Sequence, residues 1–348
     1  MLPGSAMAGE NWDGDWLSPM GVDLQMNGGL GLAFSELTPK DLPRLFALLD
    51  QLWIDGVEAI CPTIVSCGVD SLRQALLALH QARNHRRLKC CDLLGAHLEG
   101  PFISAERRGA HSVHDLCEPS LKRLHERISG FENEISLVTL APELPGSLDV
   151  IKRLRSLGVV VCLGHSIADA STCNRAFHQG IGMLTHTFNA MEGLHHRAIG
   201  PVGEAFANGK IAFGLIADGV HVAPTMALLL QRLAPEQVVL VSDALAPYGL
   251  VDGKYRWDKR VLIVEKGICY LEDGTLAGGS LPLLEGCRRL ALWSGQPAAA
   301  IWAATIAPRR VLGEGLDAQI QLVGQPFRKL LRWRWKPDDN DLSWHFAA

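Results

Sequence analysis

The chain has 348 residues, of which 48% are hydrophobic and 20% charged, and carries a formal net charge of -4. That is the make-up of an ordinary globular enzyme, long enough for one large α/β domain and a small appendage. It gives no electrostatic case for nucleic acid or an anionic membrane as partner, and no apolar run nears the ~20 residues a bilayer span requires. Nine cysteines form no CxxC pair, and Cys61, Cys90, Cys91, Cys162 and Cys269 lie in apolar runs. Reduced core thiols in a cytoplasmic protein are the expectation.

Residues 1–18 are rich in Gly, Asp and Trp without a period and read as irregular chain or a frayed strand. From Pro19 onward strand and helix signals alternate. Apolar runs predict strands at 20–26, 57–64, 92–98, 135–141, 159–164, 183–188, 211–217 and 237–242. Thr38-Pro39 caps a first helix with proline at its first position, followed by Leu42, Leu45, Phe46, Leu49, Leu52 and Trp53 at three-to-four spacing. Ser71 and Gln74 read as a capping box before Leu72, Leu76 and Leu79. Further helices are predicted at 119–129, 147–157, 169–179, 224–233, 281–293 and 297–304.

Eight strands alternating with helices imply a parallel sheet covered on its outer face. A closed (β/α)₈ barrel needs about 250 residues, which the segment 19–306 supplies; an open doubly wound sheet is the alternative. The runs 261–264 and 267–271 predict a hairpin around Glu265-Lys266, an insertion near 260–272. Residues 319–335 predict another strand or pair. With residues 1–18, the segment 307–348 would form a small β appendage. The basic stretch Arg328-Lys329 and Arg332-Trp-Arg-Trp-Lys336 reads as a solvated edge strand.

The run Leu93-Leu-Gly-Ala-His-Leu-Glu-Gly-Pro-Phe102 carries the chemistry. It begins as a buried strand and stops at Gly100-Pro101, leaving Glu99 at the strand end. A carboxylate there must be hydrogen-bonded, paired or bound to a cation. Two later runs end in histidine, at His165 and His186. One Glu and two His with a free position form a recurrent ligand set for catalytic zinc. Gln25 and Asn27 end the first strand, His221 the seventh and Asp243 the eighth. A barrel gathers all strand ends around one mouth, and that convergence favours the closed form. Asp243 then suits a general base that takes a proton from the attacking water and returns it to the leaving group. His221 suits a hydrogen bond to a carbonyl oxygen gaining charge. The reaction class is metal-assisted hydrolysis of an amide or ester.

The segments Pro19-Met-Gly-Val-Asp-Leu-Gln-Met-Asn-Gly28, His97-Leu-Glu-Gly-Pro-Phe102, Leu140-Ala-Pro-Glu143, Gly164-His-Ser166, Thr185-His-Thr-Phe-Asn-Ala-Met191, Asp218-Gly-Val-His221 and Ser242-Asp-Ala-Leu-Ala-Pro247 occur in this order. Together they resemble the successive motifs of N-acetylglucosamine-6-phosphate deacetylases, which are amidohydrolase-superfamily barrels. The resemblance implies hydrolysis of N-acetylglucosamine 6-phosphate to glucosamine 6-phosphate and acetate, by attack of a metal-bound water with Asp243 as base. Where many amidohydrolases carry His-x-His, this chain has Gln25-x-Asn27, two amides that either orient the substrate or hydrogen-bond the strand ends. Amides are poor ligands for zinc, so one divalent ion per chain is expected, zinc first, with iron or cobalt also admissible. The resemblance further implies phosphate contacts from Asn189, Ala190 and Arg197, the last supplied across a homodimer, with His196 beside it, and a sugar contact from His111. A guanidinium fork suits a phosphate dianion. Two rival functions remain: an amidohydrolase of another N-acyl sugar or cyclic amide, and a barrel that binds an amino-sugar phosphate without turning it over. The resemblance also implies a β-sandwich drawing on more residues than precede Pro19 here, so a reduced appendage is expected.

Overall fold

A computed structural model of the chain describes residues 15–313 except 86 and 259, together with 322, 325–336, 338–339 and 341–347. Strand β1 (Asp15–Pro19) leads into eight parallel strands. These are β2 (Gly21–Met26), β3 (Val57–Val65), β4 (Ala96–Glu99), β5 (Ile135–Leu140), β6 (Val160–Leu163), β7 (Ile181–Leu184), β8 (Ala212–Leu215) and β9 (Val238–Leu240). Each pairs with its neighbour in sequence from β2 to β9. Across the remaining seam the Asp243 N–H donates to Gln25 O at 2.9 Å and the Asn27 N–H to Ala244 O at 2.7 Å. Met26 and Ala244 form a parallel bridge there, so the sheet closes on itself.

Alternation along the strands separates two cores. Val22, Leu24, Ala59, Cys61, Leu137, Cys162, Met183, Val239 and Val241 pack together inside the barrel. The opposite faces pack against the helices α1 (Leu42–Ile54), α2 (Val69–Arg83), α3 (Leu121–Ile128), α4 (Ser147–Ser156), α5 (Ala170–His178), α6 (Gly200–Asn208), α7 (Pro224–Leu233), α8 (Leu283–Ser294) and α9 (Pro297–Thr305), while Ala307 and Val311 of α10 (Ala307–Val311) pack against the interior core. Helix α1 shows the principle. Leu45, Leu48, Leu49, Leu52 and Trp53 form its buried stripe, each worth roughly 1.5–3 kcal/mol on burial. Thr38 and Asp41 close a capping box with Pro39 at the first position of the short turn that leads into it. The barrel and most helices are thus as expected, with three corrections. The 92–98 strand breaks at Leu94-Gly95, where Gly95 takes φ 116° and a Cβ would meet Ser136 Oγ at 2.3 Å. Helix α2 starts at Val69 after Gly68, so Ser71 and Gln74 lie within it and form no capping box. Helices α6 and α10 stand where the sequence predicts none: the Gly200-Pro201 start of α6 reads as a turn, and α10 falls in the segment expected to join the β appendage.

The predicted hairpin exists, as β11 (Arg260–Glu265) and β12 (Ile268–Leu271), flanked by β10 (Gly253–Trp257) and β13 (Leu276–Gly279) in one antiparallel sheet. Trp257, Leu262, Val264, Cys269 and Leu271 pack it onto Ala33, Ala110, Leu245 and Ala246 at the barrel mouth. A separate sheet orders β1 against β14 (Leu330–Lys336) and β14 against β15 (Asp341–Phe346). Arg332–Lys336 is therefore part of a central strand, not a solvated edge, while Arg328-Lys329 form a short helical turn before it. Trp333 is fully buried, and buried Arg332 Nε donates to Asp15 at 2.5 Å. Of residues 1–18 and 319–335, positions 1–14, 319–321, 323 and 324 lie outside the described residues. All nine cysteines are free. No helix among the described residues is long and apolar enough to cross a membrane.

Candidate active site

The strand ends converge on Glu99. Its Oε1 lies 2.9 Å from His165 Nε2 and 3.0 Å from His186 Nε2, and those two nitrogens are 3.0 Å apart. All three side chains are buried. The backbone bends sharply wherever a side chain must turn inward. His165, His186 and Asp243 have φ of 51°, 29° and 47°, a left-handed region that costs a residue with a Cβ about 1 kcal/mol or more. After Glu99, Gly100 takes φ 81°, and a Cβ there would meet Ser66 Oγ at 2.3 Å. Glu143 braces the turn after His165, accepting from Ser166 Oγ at 2.6 Å and from the Ile167 N–H at 2.8 Å.

Hydrogen-bond partners assign the imidazole tautomers. His165 Nδ1 faces the Arg107 carbonyl oxygen at 2.8 Å, which can only accept. The proton therefore sits on Nδ1, and Nε2 turns a bare lone pair toward Glu99. His111 is the reverse case. The Ser66 N–H donates to its Nδ1 at 3.3 Å, so the proton is on Nε2, 3.8 Å from Glu99 Oε1. Glu99, His111 and His165 also bring their ligand atoms within 4.8 Å of one another. The tautomers nonetheless make His165 a lone-pair donor and His111 a hydrogen-bond donor. A lone pair at 2.9 Å from a carboxylate oxygen is repulsive unless a cation or proton lies between them. Glu99, His165 and His186 therefore fit a divalent cation, and the Arg107 carbonyl orients His165 as outer partners of metal-binding histidines do. His97, two residues before Glu99, is excluded as a ligand. Both its nitrogens are engaged, by Leu24 O at 2.9 Å and Thr139 Oγ1 at 2.7 Å.

The electrostatics agree with this division. Burial alone would raise Glu99, but the close approach of His111, His165 and His186 holds it well below the usual carboxylate range. Burial, with His111 beside it, pushes His165 down to about 4. Burial also opposes charge on His186, yet the Glu99 hydrogen bond and charge win and raise it. Asp243 is pushed up to about 7 by burial and then by the Glu99 charge.

Gln25 Nε2 and Asn27 Nδ2 both donate to Asp243 Oδ1, at 3.2 and 2.7 Å, which leaves Oδ2 outside their grip. His221 Nδ1 is 2.5 Å from Asp218 Oδ2, while Asp218 Oδ1 accepts the Val220 and His221 N–H groups, both at 2.8 Å. A cavity of about 320 Å³ opens over these groups; Asn27, His111, Asn189, Ala190, His221 and Asp243 line it beside the Glu99–His165–His186 cluster. Arg197 and His196 are exposed on the loop after β7 and do not line it. Residues not singled out from the sequence complete the wall. Arg107 comes from the loop after β4, and Trp257, Leu276 and Ala277 come from the inserted sheet. Asp218 and Ser66, which orient His221 and His111, were likewise not foreseen as partners. Asp218 had a detectable signal, since it stands three residues before His221 in a loop.

No protein-family model matches the chain. It is similar to N-acetylglucosamine-6-phosphate deacetylase of Bos taurus, at 33% identity over 309 residues covering 85% of this chain and 74% of that protein. It is equally similar to N-acetylgalactosamine-6-phosphate deacetylase of Escherichia coli O157:H7, at 33% identity covering 86% and 79%. Among solved structures it resembles the Mycobacterium smegmatis N-acetyl-D-glucosamine-6-phosphate deacetylase in complex with N-acetyl-D-glucosamine-6-phosphate, with a TM-score of 0.83 and 27% identity over 96% of this chain and 86% of that one. The Thermotoga maritima N-acetylglucosamine-6-phosphate deacetylase gives a TM-score of 0.81 and 28% identity over 94% and 85%.

Proposed function

The chain belongs to the N-acetylglucosamine-6-phosphate deacetylase family, and from that premise we propose that it hydrolyses N-acetylglucosamine 6-phosphate to acetate and glucosamine 6-phosphate. The observation that carries this reading is the meeting of Glu99 Oε1, His165 Nε2 and His186 Nε2 within 3.0 Å of one another. We assign these three as the ligands of one divalent cation, zinc first because two imidazoles and a carboxylate are a recurrent catalytic zinc set, with iron or cobalt also suited. When bound, such an ion supplies Lewis acidity that polarises an acyl carbonyl and makes water more acidic.

The chain's own groups perform the rest. Asp243 keeps Oδ2 for a water proton, because the two amides occupy Oδ1. Burial makes this carboxylate a stronger base than a free one, suited to take that proton and return it to the departing amine nitrogen. His221 faces the cavity with its Nδ1 proton committed to Asp218. To donate from Nε2 to the carbonyl oxygen it must be the imidazolium, which the Asp218 carboxylate pairs. His111, at the cavity wall, is placed to meet a sugar hydroxyl. Asn189 and Ala190 at the cavity wall receive the phosphate, and Arg197, exposed away from its own cavity, reaches the phosphate of a partner protomer in a homodimer. We take residues 19–306 as the catalytic unit and 1–18 with 307–348 as the appendage.

The test is acetate release from N-acetylglucosamine 6-phosphate by the zinc-loaded protein, with Glu99→Gln and Asp243→Asn as controls. Unchanged rates in both variants would end the proposal. The galactosamine relative supports a second substrate reading, the C4 epimer. Parallel kcat/KM values for the two epimers decide between them.

A further inference from the structure

We propose that Asp23, which no step above uses, is a positioning residue: it sets the phase of strand β2 and pins the end of β9 beside it, so that Gln25, Asn27 and Asp243 meet. Its kinetic readout rests on the deacetylase reading; its geometry does not.

Val22 and Leu24 pack in the barrel interior. Strict alternation would send Met26 inward next and turn Gln25 and Asn27 away. The reverse occurs. Met26 packs in the outer core, and Gln25 and Asn27 converge on Asp243. The phase therefore changes after Leu24, where the register between β2 and β3 is irregular from Asp23 to Met26. Asp23 Oδ1 sits at that irregularity and accepts the Gln25 N–H at 3.1 Å, a side-chain-to-backbone turn two residues long.

The same carboxylate spans the barrel seam. Both its oxygens lie 3.3 Å from the Ser242 nitrogen. Asp243 follows with φ 47°, a conformation its neighbours must hold in place. Asp23 anchors the residue before it, and the Asn27 N–H anchors the residue after it through Ala244 O at 2.7 Å. An aliphatic side chain at position 23 would leave the Gln25 and Ser242 N–H groups buried without these acceptors, a cost of about 1–3 kcal/mol each. Asp23 is itself buried, and burial pushes its carboxyl up to about 6 despite the Ser242 and Gln25 hydrogen bonds. A carboxylate so disfavoured by its surroundings persists at a point where two backbone N–H groups require an acceptor.

Asp23→Ala and Asp23→Asn separate positioning from charge. Asparagine keeps one oxygen where Oδ1 accepts and offers its amide to Ser242 Oγ; alanine keeps neither. The zinc-loaded D23A protein should lose about 100-fold in kcat with KM within about threefold, as expected for a misplaced base, while D23N stays within about tenfold of wild type. Crystal structures supply a readout free of turnover: D23A should lose the Asn27–Asp243 and Gln25–Asp243 hydrogen bonds, and D23N should keep them. If D23A does not fold, D23S replaces it, since serine reaches the Gln25 N–H but not Ser242. D23A with wild-type kcat, D23N falling as far as D23A, or both amide contacts intact in D23A each overturn the proposal. If the wild type releases no acetate, the deacetylase reading falls and the crystal structures decide the role of Asp23.

Discussion

His165 Nε2 and His186 Nε2 lie 3.0 Å apart, though they follow different strands, and both face one oxygen of Glu99. Two nitrogens and a carboxylate oxygen at such spacing must share a positive charge, either a proton or a metal ion. Without metal the chain meets that need through His186, which Glu99 raises, while His165 stays neutral. Metal binding must expel the His186 proton. Zinc titrated into chelator-stripped protein should therefore bind one equivalent and release a proton at slightly acidic pH. Calorimetry in two buffers of different ionisation enthalpy measures that release. The loaded protein should gain about 4 kcal/mol of stability at free zinc a thousandfold above Kd. Binding without proton release and without a rise in Tm would contradict the assignment of these ligands.

His221 and Asp218 give a second prediction. Asp218 Oδ1 holds two backbone N–H groups, so in Asp218→Asn the amide oxygen should stay there and its NH₂ should face His221 Nδ1. The imidazole is then forced into the neutral tautomer with its proton on Nε2. A donor survives but its charge does not. The expected result is a fall in kcat of roughly 10–100-fold with zinc content unchanged. An unaltered kcat would remove the imidazolium from the mechanism.

The residues at the strand ends were legible because a barrel leaves few alternatives. A polar side chain closing an apolar run sits either at the mouth or at the floor, and Glu99, His165, His186, His221 and Asp243 all close runs in the same chain direction. Which histidine gives a lone pair and which a proton was not legible. That choice depends on the Arg107 carbonyl and the Ser66 N–H, backbone groups whose positions no side-chain pattern encodes. The left-handed backbone at His165, His186 and Asp243 is equally silent in sequence, since none of the three is glycine. The basic strand at Leu330–Lys336 misled for a different reason. Its arginines look solvated until Asp15, more than three hundred residues earlier, is placed against Arg332.

Arg197 supplies the third prediction. It is exposed and does not line the cavity of its own chain. If it reaches the phosphate of a partner, Arg197→Ala should raise KM for the phosphorylated substrate by about 10–100-fold, the value of one to three kcal/mol for a charge-assisted contact, and leave kcat within about threefold. Mixing R197A with an inactive Asp243→Asn protein should restore up to a quarter of the wild-type sites, because one mixed site in each heterodimer is intact. Wild-type KM in R197A, or no recovery on mixing, would place phosphate recognition within one chain.

Asp23 gives the last prediction, on stability against pH. Its carboxyl is raised by burial to about 6, against an ordinary value of 3.8. The folded protein therefore binds this proton more tightly than the unfolded chain does. Between about pH 4 and 6 the native state holds more protons, so this group's contribution to stability is full below about 4 and is lost as pH rises through about 6. Two pKa units correspond to about 3 kcal/mol. Asparagine cannot titrate, so D23N lacks this slope while keeping the hydrogen bonds to Gln25 and Ser242. All other titrations are common to both proteins and cancel in the difference. Unfolding midpoints of metal-free wild type and D23N from pH 4 to 7 should show wild type gaining on D23N as the solution is acidified. A constant gap across that range would mean that Asp23 ionises freely, and that the barrel seam around it is wetter than the packing of Val22, Leu24 and Cys61 implies.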